Sequence, residues 1–151
     1  MCEIIIYNEN ERTVVTQRFR TPASQIGPNW PKFADEVRRQ NVFTSGWGIA
    51  EYHCSGGYNP EDVDYELMLP VMGEIEPLSP LNIKKLDAAK VASILHRGEH
   101  ETMGESYDKL FKWIGEQGLQ VAGNVREVYL RCPHTNNDPA GYVTEILVPV
   151  K

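Results

Sequence analysis

The sequence predicts an α+β domain built from two pseudo-symmetric βαββ repeats. Residues Glu66–Val71 match Glu145–Val150 at an offset of 79 residues, and Val14–Arg20 match Val91–Arg97 at an offset of 77. A helical pattern lies between strand patterns in both halves. Helices separated by pairs of strands favour a mostly antiparallel sheet with the helices on one face. We therefore expect a ligand cleft between the two halves, on the part of the sheet that the helices leave open.

The repeats define one domain over residues 1–151, because 17.1 kDa is enough chain to bury a single core. The first repeat covers about residues 1–72 and the second about residues 81–151. Residues 73–80 are rich in proline and acidic side chains, which is typical of a linker.

Helix signals are clearest in the second repeat. Thr102 and Glu105 form a capping-box pattern, and Gly118 is placed to end the helix. The apolar residues between them recur at helical spacing: Met103, Tyr107, Leu110, Phe111 and Ile114. In the first repeat we expect a helix from about Pro31 to Gln40, with Phe33 and Val37 on its buried side.

The strand Val125–Leu130 carries a glutamate at its centre. Side chains alternate along a strand, so Glu127 and Tyr129 share one face with Val125. A carboxylate there is either on a solvated face of the sheet or in an apolar cleft that holds a cation or a proton. The strand pattern alone leaves both alternatives open.

Glycines occupy the related strand of the first repeat. At the offset of 79 residues, Gly48 and Ala50 correspond to Glu127 and Tyr129. The glycines at 46 and 48 either open space for a ligand or mark a bulge or a close approach of the backbone. Strict alternation places Trp47 on the helix side unless a bulge turns it toward the cleft.

Composition excludes several classes of protein. The formal net charge of −6 and the pI near 5.2 argue against direct nucleic acid binding, which needs clustered Lys and Arg. The sequence contains no signal peptide pattern and no apolar run that would span a membrane, so we expect a cytoplasmic protein. Three cysteines without CxxC spacing suit reduced thiols.

Several segments carry a resemblance to a known family. Arg126–Leu130, Asn137–Pro139 and Tyr142–Val150 resemble the second half of the GyrI-like small-molecule-binding domain, which is also the effector-binding domain of AraC-type and MerR-type transcription activators. His96–Glu99 and Gly104–Trp113 are similar to the passage from strand to helix in that family. The chain departs from the family at Glu99 and His100, where a proline and an aromatic residue are usual.

The resemblance implies a stand-alone small-molecule-binding protein for planar, apolar, often cationic aromatic compounds. The buried glutamate of the family corresponds to Glu127, and aromatic side chains are expected to sandwich the ligand. The candidate ligand-binding residues are Glu127, Tyr129, Trp47, Gly48, Tyr65, Tyr107, Tyr142 and Glu145, with Glu145 ranked below Glu127.

Two other functions stay open at this stage. Some free-standing family members hydrolyse cyclopropane-bearing DNA-alkylating compounds, and in such an enzyme the catalytic residues would be Glu127 as the base and Tyr129, or Tyr142, as the group that polarises a carbonyl. A protein partner, such as a transcription regulator or gyrase, is suggested by the family name but has no support in the sequence.

No cofactor and no metal are expected. A thiol and imidazole site from His53-Cys54 and Cys132-Pro133-His134 is disfavoured, because zinc ligands usually have tighter spacing. By repeat symmetry Glu66 and Glu145 are expected to pair with Arg20 and Arg97.

Overall fold

The computed structural model describes residues 3–54, 57–131 and 138–151. Cys132, His134 and Asn137, which figure in the sequence predictions, lie outside these residues. The helices are α1 (Ile26–Arg39) and α2 (Met103–Glu116). The strands are β1 (Ile4–Glu9), β2 (Arg12–Thr21), β3 (Ile49–Tyr52), β4 (Val63–Pro70), β5 (Asn82–Leu86), β6 (Ala89–Arg97), β7 (Val125–Arg131) and β8 (Val143–Pro149).

The chain forms two compact units, each with one α-helix and four strands among the described residues. The N-unit comprises residues 11–87, and its strands lie in the order β3-β4-β2-β5. The C-unit comprises residues 1–10 and 88–151, and its strands lie in the order β1-β6-β8-β7. Neighbouring strands within each unit are antiparallel. The predicted α+β class with antiparallel pairing is therefore confirmed.

Each helix packs on its own sheet through an apolar stripe. In the C-unit, Leu110 and Ile114 of α2 pack with Ile94 and Ile146 of the sheet. In the N-unit, Phe33 and Val37 are buried, as their spacing predicts. Each such side chain contributes about 1.5–3 kcal/mol when it is fully buried. No helix in the described ranges is long and apolar enough to cross a membrane.

The helix ends agree with the sequence only in part. Gly118 has a φ of 70° just after α2 and ends the helix as predicted. Thr102 precedes α2, but its side chain does not cap it, and instead donates a 2.8 Å hydrogen bond to the carbonyl of Glu99. Helix α1 begins at Ile26, so the predicted start at Pro31 is wrong. Pro31 lies inside the helix. Because proline has no backbone N–H, one helical hydrogen bond is lost, the one that the carbonyl of Gly27 in the first turn would accept.

The strand registers correct the predicted alignment of the repeats. Glu51 lies opposite Glu66 in the N-unit, and Val128 lies opposite Glu145 in the C-unit. Since Glu66 and Glu145 are repeat equivalents, Glu51 corresponds to Val128 and Ala50 corresponds to Glu127. The predicted equivalence of Gly48 with Glu127 is wrong by two residues. Two residues are one full period of a strand, so Gly48 and Ala50 still share one face. That face is the helix side, since Trp30 of α1 lies over Gly48 and Tyr107 of α2 reaches Glu127, so the prediction that these residues lie on the open face of the sheet is wrong.

Gly48 allows a close approach of an aromatic ring. A Cβ atom added at Gly48 would lie 2.8 Å from the Cη2 atom of Trp30 on α1. This is the close backbone approach that the sequence analysis gave as one alternative. Trp30 also contacts Phe33 edge to face, with ring centroids 5.9 Å apart, so the indole is held over the strand by its own helix.

We expect Gly48→Ala to destabilise the protein by about 1–3 kcal/mol, because the added methyl group forces Trp30 out of its position. Urea unfolding at equilibrium measures the difference. The control is Gly27→Ala in α1, where an added Cβ meets no atom within 4 Å and alanine favours the helix. Equal stability of Gly48→Ala and wild type would contradict the close packing of Trp30.

Candidate functional site

Glu127 lies at the centre of β7 on the side of the sheet that α2 covers. It stands opposite Ile146, which in turn stands opposite Ile94, and both isoleucines belong to the apolar core under α2. Directly opposed residues of antiparallel strands share a face. Only 7% of Glu127 is exposed. Of the two sequence alternatives, the structure therefore has the buried carboxylate and not the solvated one.

Two phenols hold this carboxylate. Tyr129 Oη donates a 2.7 Å hydrogen bond to Glu127 Oε1, and Tyr107 Oη of α2 donates a short hydrogen bond to Glu127 Oε2. The ring of Tyr107 stacks on Phe111 one turn later in the helix, with centroids 6.5 Å apart. Hydrogen bonds to a charged acceptor are about twice as strong as neutral ones, so both carboxylate oxygens are oriented.

Further aromatic rings line the same region. His100 lies just before α2, with its ring centroid 5.8 Å from that of Tyr129 and 5.4 Å from that of Tyr142. In the sequence, His100 stands out only as a departure from the family. The imidazole of His100 lies beside the two tyrosine rings. Its unusual identity at this position of the family pattern was the sequence signal that could have marked it as a site residue.

A buried hydroxyl completes the set. Thr144 lies opposite Tyr129 and is fully buried, and its Oγ1 has no hydrogen-bond partner among the described residues. Its other neighbour, His96, is held by Ser106 Oγ at 2.7 Å from Nδ1 and by the carbonyl of Glu99 at 2.9 Å from Nε2. We call the following residues the Glu127 cluster: Tyr107, Glu127, Tyr129, His100, Tyr142 and Thr144.

Glu145, the second acid of the sequence prediction, is not in this cluster. It lies opposite Val128, and the next pair along the ladder is Ile146 with Glu127. Because side chains alternate along a strand, Glu145 faces the side of the sheet opposite to Glu127. Ser93 Oγ donates a 2.7 Å hydrogen bond to it, and Tyr7 donates a short one. Burial and the nearby carboxylate raise the pKa of the Tyr7 phenol above its ordinary value.

The other predicted ligand-binding residues belong to the N-unit. Trp47 is 57% exposed and precedes β3, and Gly48 lies beneath Trp30. Tyr65 is fully buried, stacks on Phe19 with centroids 5.6 Å apart and accepts a 2.9 Å hydrogen bond from Asn29 Nδ2. Ligand contact by these three residues stays a prediction.

The N-unit contains a second polar cluster, which the sequence analysis missed. Glu51 and Glu66, 3% and 7% exposed, lie opposite each other on β3 and β4. His53 Nε2 lies 2.7 Å from Glu66 Oε1, and Lys84 Nζ lies 3.2 Å from the same oxygen and 3.4 Å from Glu51 Oε1. Thr16 Oγ1 donates a 2.7 Å hydrogen bond to Glu66 Oε2. These five side chains form the Glu66 cluster.

The partners of Glu66 correct one sequence prediction. Arg20 does not pair with Glu66, since its guanidinium makes a two-bond ion pair with Asp62 at 2.9 Å. Burial raises the pKa of the Glu66 carboxyl, but hydrogen bonds from Thr16, Lys84 and His53 outweigh burial and lower it below 4.5. The i, i+2 spacing of Glu51 and His53 was the available signal, although spacing does not reveal which strand lies opposite.

Residues 3–151 match the family model of the GyrI-like small molecule binding domain. The chain is similar to the C-terminal domain of EcmrR, with a TM-score of 0.94 and 20% identity over 100% of this chain and 98% of that one. It spans 57% of the EcmrR chain in a complex with DNA, with a TM-score of 0.94 and 21% identity over 99% of this chain. The sequence matches none of the curated proteins with which it was compared.

Two more distant structures share the fold. SAV2435 bound to tetraphenylphosphonium has a TM-score of 0.67 at 15% identity, over 99% of this chain and 94% of that one. A hydrolase from Listeria innocua has a TM-score of 0.71 at 8% identity, over 99% of this chain and 92% of that one. At these identities the similarity establishes the fold.

We expect Lys84→Met to lower the free energy of unfolding at pH 7 by about 1–3 kcal/mol, because two buried carboxylates lose a partner. The lowered pKa of Glu66 means that its stabilisation is present above pH 4.5 and is lost as the pH falls through the folded-state value. The deficit of Lys84→Met relative to wild type should therefore shrink on acidification to about pH 3.5.

Urea unfolding at both pH values measures this deficit. Lys85→Met is the matched control, because Lys85 lies on the same strand and pairs with the exposed Glu11. We expect that substitution to cost less than about 0.5 kcal/mol at either pH. A Lys84→Met deficit that stays constant between the two pH values would contradict a charge interaction with Glu66.

Proposed function

We propose, since the chain belongs to the GyrI-like small-molecule-binding domain family, that it binds planar, apolar, often cationic aromatic compounds at the Glu127 cluster. The observation that carries this proposal is a carboxylate that is 7% exposed and held on both oxygens by phenols. A carboxylate in low-dielectric surroundings attracts a cation more strongly than one in water does. A cationic ligand that reaches the phenols would therefore gain a favourable charge interaction with Glu127.

The aromatic groups support the same ligand class. A tyrosine that donates its proton to a carboxylate gains electron density in its ring, and a cation on such a ring face gains about 0.5–2 kcal/mol. Tyr107, Tyr129, Tyr142 and His100 offer flat faces for an aromatic ligand, and pairs of such faces contribute about 0.5–1.5 kcal/mol beyond burial. The Thr144 hydroxyl is the nearby group that can hydrogen-bond a polar substituent.

The physiological role that fits this chemistry is sensing or sequestering of such compounds. SAV2435, which shares the fold, is bound to tetraphenylphosphonium, an aromatic cation. The net charge of −6 makes direct contact with nucleic acid unfavourable, so the proposed partner is the small molecule alone.

Isothermal titration with tetraphenylphosphonium tests the proposal. We expect wild type to bind it and Glu127→Gln to bind it at least about tenfold more weakly, because a desolvated charge pair contributes 1.4 kcal/mol or more. Glu105→Gln is the matched control, since it removes the same charge from an exposed position on α2 and should leave the affinity unchanged. Equal affinity of wild type and Glu127→Gln would overturn the proposed site.

A second candidate function uses the same residues as a hydrolase of cyclopropane-bearing alkylating compounds. The observation that favours it is the 2.7 Å hydrogen bond between Tyr129 Oη and Glu127 Oε1, which places an acid beside a base. Glu127 would take a proton from water as the water oxygen attacks a cyclopropane carbon. The ring bond then breaks, its electron pair passes to the conjugated carbonyl oxygen, and Tyr129 or Tyr142 donates a proton to that oxygen.

Mass spectrometry of such an alkylator with substoichiometric protein distinguishes turnover from binding. If the protein is a hydrolase, several equivalents of the water-added product form with wild type, and Glu127→Gln and Tyr129→Phe each reduce the rate by about 10²-fold or more. Intact compound released on denaturation would exclude turnover and leave the binding function in place.

A further inference from the structure

We infer that Glu51, His53 and Glu66 of the N-unit bind a divalent transition-metal ion of the Zn²⁺ class, which displaces the ammonium group of Lys84. One ligand atom from each of the three residues lies within 4.8 Å of the others. This site is separate from the Glu127 cluster and does not depend on the proposed function. It also departs from the sequence expectation that the protein holds no metal.

The geometry is close to that of a metal site. His53 Nε2 lies 2.7 Å from Glu66 Oε1 and 3.8 Å from Glu51 Oε1. Ligand atoms about 2.0–2.2 Å from a tetrahedral Zn²⁺ are about 3.4 Å apart. The two distances from His53 Nε2 differ from this spacing by less than 1 Å, and the ligand atoms of all three residues lie within 4.8 Å of one another.

The charges require a cation at this position. Glu51 and Glu66 are buried side by side on directly opposed positions, where like charges repel. Lys84 contacts both carboxylates, and Arg18, which pairs with Asp64, acts on them at longer range. Its side chain is 35% exposed and lies on the edge strand β5, so it can leave for solvent while a dication neutralises both carboxylates.

Thr16 prepares one of the ligands. Its hydroxyl donates to Glu66 Oε2, which leaves Oε1 directed toward His53 and Lys84. A hydrogen bond of this kind to a ligating carboxylate fixes its orientation and typically supports metal affinity. The oxygen that would coordinate the ion is thus Glu66 Oε1, which His53 and Lys84 contact in this structure.

The fold itself does not demand this cluster. The register places Val128 and Leu130 of the C-unit at the positions of Glu51 and His53, and Tyr7 at the position of Lys84. The C-unit forms the same four-stranded sheet with Glu145 at the position of Glu66 and with no carboxylate at the position of Glu51. The extra carboxylate and the imidazole of the N-unit are therefore additions to the sheet, with the composition of a metal site.

The ligand set indicates the class of ion. Two carboxylate oxygens and one imidazole nitrogen suit Zn²⁺, Co²⁺ or Ni²⁺ better than Mg²⁺ or Ca²⁺, which prefer all-oxygen sites. Three protein ligands leave at least one position for water. A water-bearing metal site follows from this arrangement.

Titration of the full chain with Co²⁺ and Zn²⁺, followed by visible absorption and by calorimetry, tests the inference. We expect one ion per chain, with affinity reduced at least tenfold in His53→Ala and in the conservative variant Glu66→Gln. Lys84→Met should increase the affinity at least tenfold, since the competing ammonium is gone. Lys85→Met, which removes a lysine charge from the same strand, should leave the affinity unchanged.

Any of four results would overturn the inference. The first is no binding of either ion at millimolar concentration, and the second is wild-type affinity in His53→Ala or Glu66→Gln, each checked for native circular dichroism. The third is a near-ultraviolet thiolate-to-Co²⁺ band, which would assign the ion to cysteine instead. Unchanged affinity in Lys84→Met would show that the ammonium does not share the site, and would also count against it.

Discussion

A carboxylate buried in a β-sheet loses its hydration, and hydrogen-bond donors or a counter-charge must replace the lost water. The N-unit meets this requirement for Glu51 and Glu66 with a lysine, an imidazole and a threonine hydroxyl. The C-unit holds Glu127 with hydrogen bonds from two tyrosines. This difference in how buried charge is compensated separates the two units chemically, although they have the same strand plan.

The two faces of the C-unit sheet are polar in different ways. On the face under α2, Glu127 is surrounded by rings and by the core isoleucines, so an added cation would be well shielded from water. On the opposite face, Glu145 is already satisfied by Tyr7 and Ser93. Alternation along β7 and β8 keeps these two acids apart, even though they are neighbours in the ladder. One sheet thus carries the acid of the proposed ligand site on one face and a structural acid on the other.

Much of the fold could be predicted from the sequence, because it depends on local patterns. The repeat, the start of α2 after Thr102, its end at Gly118 and the shared facing of Glu127 and Tyr129 all follow from residue spacing. The predicted start of α1 was wrong because Pro31 was taken as the beginning of the helix, whereas the helix begins at Ile26, tolerates Pro28 in its first turn and continues through Pro31.

The features that were missed depend on register. The equivalence of Ala50 with Glu127, the pairing of Glu51 with Glu66 and the approach of Lys84 from β5 are contacts between strands, and a single sequence does not state which residues lie opposite. Tyr107 was predicted to be near Glu127, but the hydrogen bond from α2 to β7 depends on how the helix is placed on the sheet.

Trp30 and Tyr107 occupy the same place in their 14-residue helices, and the contact each makes sets how its unit can change during evolution. Trp30 fills the space above Gly48, so neither residue can be enlarged or replaced without a matching change in the other. Tyr107 instead reaches its strand through a hydrogen bond to Glu127, and its loss would weaken the hydrogen bonding of a buried carboxylate at a cost of about 1–3 kcal/mol. The N-unit is therefore constrained by the shape of one packed pair, and the C-unit by the hydrogen bonding of one buried charge.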